Sequence, residues 1–356
     1  MKHHKDHTTK VLFILKRRGD YNPEKHTKIG LTTGLYNSAS FMSEMLVECG
    51  VASKIAVVND NNDIDREVHN YKPTHIIIEA LWVVPSKFTT LCKLHPKVRW
   101  IIRMHSEVPF VASEGNAMDW LGDYVKFKNL TVAANSPRFF RSLHPYLSKV
   151  SHDIDHQLAL LENYYPEKYK TKEFEVDGEY INIGCFGAIR PLKNHLQQAL
   201  AAIKFADKIG KKLRFHINAD RIEMKGDPVL NNLKGLFMQV YDSGHELVNH
   251  GWFDRDGFLK LCAKVDIGMQ VSISETFNIV GADLISQGVP IVASYEIPWS
   301  SKIFSASGTD EEGIYKKLLL AYYFPRLNVF INKLKLKRYT SQTRKNWLEF
   351  FKNNKI

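Results

Sequence analysis

Short runs of β-branched and aliphatic residues, each followed by a stretch with helical apolar spacing, occur in this chain in two separate series. That alternation limits the fold more than any other feature. The first series has strand candidates at 11–16, 54–58, 75–80, 100–104 and 130–134, with helical patterns at 40–49, 64–71, 86–94, 117–125 and 137–147. Continuous apolar runs belong to strands buried on both faces, and such strands joined by helices form a parallel sheet covered on both sides. The alternation stops over 150–178, a polar, mixed-charge stretch with one short strand candidate, which reads as an interdomain linker. It resumes with strands at 180–186, 212–219, 247–250, 265–269 and 291–294 and helices at 194–209, 229–241, 256–263 and 279–287. The expected fold class is therefore α/β, with two Rossmann-like, doubly wound domains. The boundaries fall at 1–165 and 166–313, followed by basic helices over 314–356 with a break at Pro325.

At 356 residues the chain has room for two such cores, and 44% hydrophobic with 24% charged residues is ordinary for a soluble globular protein. No apolar run approaches the roughly 20 residues of a membrane span. The opening MKHHKDHTTK lacks the apolar centre of a signal peptide, so a cytoplasmic location is expected. Cys49, Cys92, Cys185 and Cys262 stand far apart without CxxC spacing, which suits reduced thiols and implies no structural zinc. His3, His4 and His7, and the pair His152 and His156, lack a further ligand and read as surface. Nearly all of the net charge of +11 sits at the end: residues 314–356 hold 11 Lys and Arg against one acid. A tail of that kind suits a polyanionic partner, either nucleic acid or an anionic membrane surface, or else forms a solvated basic helix face.

The densest chemistry lies in QVSISETFNIVGADLISQGVPIVA, residues 270–293. Here a buried strand, a loop, a helix and a second strand follow one another, with Glu275 in the loop and Asp283 eight residues on, in the helix. Acids at the carboxyl edge of a parallel sheet are placed to accept hydrogen bonds from sugar hydroxyls; the plainer alternative has Glu275 capping the helix and Asp283 in solvent.

Ser274, Glu275, Phe277, Asp283, Gly288, Pro290, Ile291 and Val292 resemble the C-terminal signature of retaining GT-B glycosyltransferases, particularly those of the family 4 type. In that family the first acid contacts the donor sugar and the second the ribose of the nucleotide. Two residues depart from the pattern: Asn278 stands where the family has Gly, and Asp283 where it has Glu. The resemblance implies two domains facing across a cleft, the last helices crossing back to the first domain, and retaining transfer from a nucleotide-sugar donor with no metal or other cofactor.

The loop 184–194, GCFGAIRPLKN, runs from a buried strand through glycines into a helix start, where backbone N–H groups and cations can meet a diphosphate. Gly187, Arg190, Lys193 and Asn194 are its candidate donor-binding residues. It resembles the family's Gly-Arg-x-x-x-x-Lys-Gly loop aligned on Lys193, with Ala188 at the family's Arg position and Arg190 two residues on. In the first series, Arg103-Met-His105-Ser-Glu107-Val-Pro109 follows a buried strand. A neutral His at such an edge can bond a donor hydroxyl or phosphate, and the resemblance places His105 on the donor sugar. Glu107 is a candidate on the acceptor side, although Arg103 and Glu107 could equally form a structural pair. Arg17 and Arg18 end the first strand on the expected acceptor side, and Gly34 opens the next helix, where a backbone can approach a phosphate closely. Trp252, beside a glycine turn, reads as packing with a possible stacking role.

No Ser-His-Asp or two-carboxylate hydrolase arrangement is visible. For the acceptor the basic tail and Lys16-Arg17-Arg18 resemble phage enzymes that glycosylate hydroxymethylated pyrimidines in double-stranded DNA, which would place the chain in a host cytoplasm and require an everted base. Leu327, Phe330, Ile331 and Leu334, at i, i+3, i+4, i+7 beside Lys333, Lys335 and Lys337, equally fit a basic interfacial helix and a membrane glycolipid or polysaccharide acceptor. A silent GT-B-like nucleic-acid-binding protein is the third reading; no obligate protein partner is implied.

Overall fold

The computed structural model describes residues 9–17, 33–151, 153–173 and 178–354. They form two compact units, Met1–Pro166 with Thr340–Ile356, and Glu167–Tyr339.

The first unit is built on strands β1 (Lys10–Lys16), β2 (Ala52–Val58), β3 (His75–Glu79), β4 (Arg99–Met104), β5 (Leu130–Ala134) and β6 (Leu158–Leu160). They lie in the order β2-β1-β3-β4-β5-β6, every pair parallel. Between them run α1 (Thr33–Glu48), α2 (Asp63–Tyr71), α3 (Lys87–Leu94), α4 (Val108–Val111), α5 (Ala117–Tyr124), α6 (Pro137–Leu147) and α7 (Ile154–Gln157). Every residue of β3 and β5 is buried, as uninterrupted apolar runs require. The stretch expected as linker, 150–178, contains the division between the units, at Pro166 and Glu167. Part of it is β6, and 161–165 behind it are buried because Arg103 and Trp347, distant in sequence, hydrogen-bond their carbonyls and side chains.

The second unit has β7 (Tyr180–Gly184), β8 (Lys212–Ile217), β9 (Glu246–Asn249), β10 (Ile267–Gln270), β11 (Ile291–Ser294) and β12 (Ser305–Ala306), again all parallel, in the order β12-β11-β10-β7-β8-β9. Its helices are α8 (His195–Lys208), α9 (Asp227–Gln239), α10 (Arg255–Cys262), α11 (Ile279–Ser286), α12 (Glu311–Tyr323) and α13 (Pro325–Asn353). Strand order reverses between β7 and β10, and the carboxyl ends of these neighbours mark the crevice at which a doubly wound sheet takes its ligand. After α11 the chain turns at Gly288, φ +78, where a Cβ would stand 2.9 Å from the Lys172 backbone nitrogen; only glycine fits. α13 is 29 residues long, starts on Pro325 in its first turn, and has its residues from Thr340 onward in the first unit.

Three histidines, His75 and His195 buried and His216 half-buried, make both units acid-sensitive. Burial pushes His75 and His216 down to about 4 and His195 to about 3, from an ordinary 6.5. A folded state that binds these protons less well than the unfolded chain is fully stabilised above pH 6.5 and loses that stability as pH falls toward 4. Melting temperature should therefore drop steadily over that interval in a calorimetric pH series, and a flat profile would contradict the buried neutral state of these rings.

Candidate functional site

The crevice of the second unit is where the two sequence motifs meet. The loop after β7 ends in a 3-10 turn, Pro191–Lys193, and the loop after β10 carries Glu275; because β7 and β10 are hydrogen-bonded neighbours, both loops leave the sheet side by side. Lys193 Nζ and Glu275 Oε2 form an ion pair, with the two side chains only 12% and 10% exposed. Ser272 Oγ donates to the same carboxylate at 3.3 Å and Asn278 Nδ2 at 3.0 Å. Burial works to raise the Glu275 carboxyl, but the Lys193 and Arg190 charges outweigh it and hold it below its ordinary value. Glu275 is thus an anion presented at the loop together with a cation, and neither caps a helix.

Capping belongs to Asn278, which explains its departure from the family's Gly. Its backbone is left-handed at φ 64, a region Gly and Asn enter most readily. The Asn side chain then adds contacts Gly cannot make: Oδ1 accepts from the Gly281 N–H at 2.6 Å, and Nδ2 donates to Gln270 Oε1 at 2.9 Å as well as to Glu275. Asn278→Ala should cost about 2 kcal/mol, the lost cap plus the strain of a Cβ in the left-handed region, whereas Asn278→Gly loses the cap alone and should cost about 1. Chemical denaturation of the two variants checks the order; Gly at or below Ala would overturn the backbone explanation.

Other residues singled out in the sequence take more specific places. Arg190 lies 3.5 Å from Glu223, which also pairs with Arg221 at 2.6 Å. Gly187, at φ +116, has open space where a Cβ would stand, so the loop backbone is accessible there. Asn194 is buried at φ 61 and its Nδ2 donates to the Val271 and Gly308 carbonyls, so its amide ties the loop down and does not point toward a ligand. Asp283 is neither solvated nor free for a ribose alone: both its oxygens accept from Arg255 of α10, at 2.9 and 2.6 Å, and it is buried. The Phe277 ring is in the core, 6.1 Å from the Trp299 ring and 5.7 Å from Tyr339, and its carbonyl accepts from Trp299 Nε1 at 2.6 Å, so the whole residue is buried. Trp252 is partly buried with the Arg221 guanidinium 5.2 Å over its ring.

In the first unit a second constellation forms at the carboxyl ends of β3, β4 and β5. His105, just past β4, is 12% exposed; its Nε2 donates to Glu79 Oε2, and Asn135 Nδ2, just past β5, donates to its Nδ1 at 3.3 Å. Glu79 is fully buried and is also held by Arg103, at 3.0 and 3.3 Å to its two oxygens. Arg103 is itself fully buried, donates further to the Leu161 and Glu162 carbonyls and to Asn163 Oδ1, and lies 5.2 Å over the Trp347 ring. Burial lowers the His105 ring and outweighs the Glu79 charge that would raise it. A neutral ring whose Nε2 hydrogen goes to Glu79 has Nδ1 as its one acceptor, and the Asn135 amide occupies it. Glu79 was not singled out in the sequence; an acid closing the otherwise apolar strand HIIIE was its signal.

The expected Arg103–Glu107 pairing is corrected. Glu107 pairs with Arg138 at 3.1 Å and accepts from Ser136 Oγ, and is buried beside the start of α6. Arg103 pairs with Glu79 instead. Arg17 is exposed, with its backbone N–H on the Val58 carbonyl at 2.6 Å, and Gly34 is exposed in the first turn of α1. Arg18, His3, His4, His7 and His152 lie outside the described residues. Among those residues, no group of three or more His, Cys, Asp or Glu is arranged to hold a metal ion.

No protein-family model matches this chain, and no curated protein matches it in sequence. Solved structures match it along almost its whole length. A sucrose-phosphate synthase from Thermosynechococcus elongatus superposes with a TM-score of 0.68 at 13% identity, covering 97% of this chain and 98% of its own. HepE of Anabaena, solved with UDP, gives 0.62 at 14%, covering 97% and 100%. An α,α-trehalose-phosphate synthase (UDP-forming) from Burkholderia vietnamiensis gives 0.65 at 8%, covering 98% and 97%. At such identities the likeness is one of fold: this chain has the fold of the GT-B glycosyltransferases, with two Rossmann-like units.

Proposed function

We propose that this protein is a retaining glycosyltransferase that takes its sugar from a nucleotide-sugar donor, without a metal. The observation that carries this reading is the meeting of Lys193 and Glu275 at the strand-order reversal of the second unit, where a fold of this kind binds nucleotides. HepE, with the same fold, has been solved with UDP-glucose, which supports a nucleoside diphosphate sugar as the donor class here. In this reading Lys193, Arg190, the Gly187 backbone and the N-terminus of α8 neutralise the diphosphate. Glu275 orients the sugar. The bond from the sugar's anomeric carbon to the phosphate breaks, the acceptor oxygen bonds to that carbon on the same face, and the acceptor's proton passes to the departing phosphate oxygen. Asp283, shorter than the family's Glu and fixed by Arg255, takes a ribose hydroxyl only on lone pairs that Arg255 leaves open.

Calorimetry against a panel of nucleoside diphosphates should find a binder in the presence of a chelator. Binding to none, or only with a divalent ion, would contradict the proposal. For the acceptor, DNA carrying hydroxymethylated pyrimidines has the net charge of the C-terminal residues in its favour. An acceptor held at a lipid surface is favoured by a more specific feature, the outward face of α13.

A further inference from the structure

Over its first three turns α13 buries asparagines and exposes large apolar side chains, with Ile331 packed inward on the core. The side chains facing the unit include Asn328 and Asn332, buried to 0% and 1%, while Leu327, Phe330 and Leu334 face outward at 48%, 59% and 51% exposure. The asparagines are held in place because Asn328 hydrogen-bonds both the N–H and the carbonyl of Ile291, at 3.0 and 2.8 Å, and Asn332 accepts from the Ser301 N–H at 2.8 Å. A helix packed on a soluble unit ordinarily does the reverse, with its apolar stripe inward. Leu327, Phe330 and Leu334 are spaced i, i+3, i+7 and share one side of the helix. Tyr323 and Phe324, exposed at 65% and 51%, extend the apolar run to the end of α12.

The rim of this row is cationic. Arg326, Lys335 and Arg338 are exposed around it, as is Lys337, which pairs with Glu167 at 3.2 Å; Glu349 is the single acid within 314–356. We infer that this face of α12 and α13 is a docking surface for an anionic lipid bilayer, with the large apolar side chains inserted at the headgroup boundary and the cations on lipid phosphates. Three considerations select that occupant. Duplex DNA would complement the cations but offers its phosphate backbone to Leu, Phe and Tyr side chains that bind none of it. A second copy of this chain would bring the same cations against themselves. A bilayer takes both components, which is the chemistry of an interfacial helix. Among the described residues no helix is long and apolar enough to cross a membrane, so the contact is a surface one. The inference stands on the second unit's surface and not on the transfer reaction.

The test uses the full chain in sedimentation with three partners: mixed phosphatidylcholine–phosphatidylglycerol vesicles, pure phosphatidylcholine vesicles, and duplex DNA. The mixed vesicles should retain the protein, pure phosphatidylcholine much less. The triple variant Leu327→Ser, Phe330→Ser, Leu334→Ser should lose vesicle affinity by on the order of 10- to 100-fold while its circular dichroism and nucleoside diphosphate binding stay unchanged. Raising salt should weaken binding without abolishing it, because the apolar part is not screened. Vesicle affinity unchanged in the triple variant would overturn the inference, as would retention by DNA but by no vesicle. So would a dimer in light scattering that disappears in the triple variant of a protein that binds no lipid.

Discussion

Arg103→Met should destabilise the first unit by about 3–5 kcal/mol, the cost of leaving a buried charge without its partner. Nothing near Glu79 can replace the guanidinium: the carboxylate is fully buried, His105 is neutral, and the remaining groups around it were themselves partners of Arg103. The same substitution takes the Arg103 donor from the Leu161 carbonyl, leaves the Glu162 carbonyl with Trp347 Nε1, and uncovers one face of Trp347. Adding Glu79→Gln removes the stranded charge, so the double variant should recover part of the loss; that is the sign of a pair whose cost lies in separation. Denaturant unfolding, with hydrogen exchange of the β3 and β4 amides to localise the effect, measures both. If Arg103→Met melts like wild type, or the double variant is worse than the sum of the singles, the network is not the keystone of this sheet edge.

The second large effect concerns the Lys193 and Glu275 pair, and the two partners should fail differently. Lys193→Ala removes a cation from the proposed diphosphate site and strands Glu275, which is 10% exposed, so nucleoside diphosphate affinity should fall on the order of 10²-fold, the worth of a charge-assisted contact to phosphate. Glu275→Gln keeps a side chain of the same shape and leaves Lys193 free for phosphate, so binding should change little. Its kcat should fall on the order of 10²-fold, because a contact to a sugar that is becoming cationic acts mainly on the transition state. Isothermal titration and steady-state kinetics on both variants separate the two effects. A Glu275→Gln enzyme with normal kcat, or a Lys193→Ala protein with normal affinity, would remove that residue from its assigned role.

These residues also show how far the sequence alone carries the argument. The paired sheets were legible because buried parallel strands are written as continuous apolar runs such as Val11–Leu15 and Ile76–Ile78, a local property. The approach of Lys193 to Glu275 was legible at one remove: two motifs some 80 residues apart each sit at a strand's carboxyl end, and strand order, fixed by long-range pairing, brings them together. What was not legible was the identity of the partners. Arg103 next to Glu107 in the chain suggested a pair, yet in the sheet Arg103 lies in register with Glu79 on the neighbouring strand, while Glu107 turns into the start of α6. Arg255 on Asp283 and Asn194 on two loop carbonyls are likewise tertiary choices that no spacing encodes. β6, three residues paired with β5, was only an unplaced short strand in the stretch read as linker, and the exposed apolar face of α13 appears in the sequence only as apolar periodicity, which does not say which side is inward.

The most direct measurement of the account is donor turnover. The purified chain is incubated in chelator with a panel of nucleotide-sugars and vesicles bearing a glycolipid acceptor or DNA bearing hydroxymethylcytosine, and the products are weighed and their anomeric configuration read by NMR. The account predicts release of a nucleoside diphosphate and a new glycoside that keeps the donor's configuration, both greatly reduced in Glu275→Gln. A product of inverted configuration, turnover that requires a divalent ion, or a Glu275→Gln enzyme as fast as wild type would contradict it.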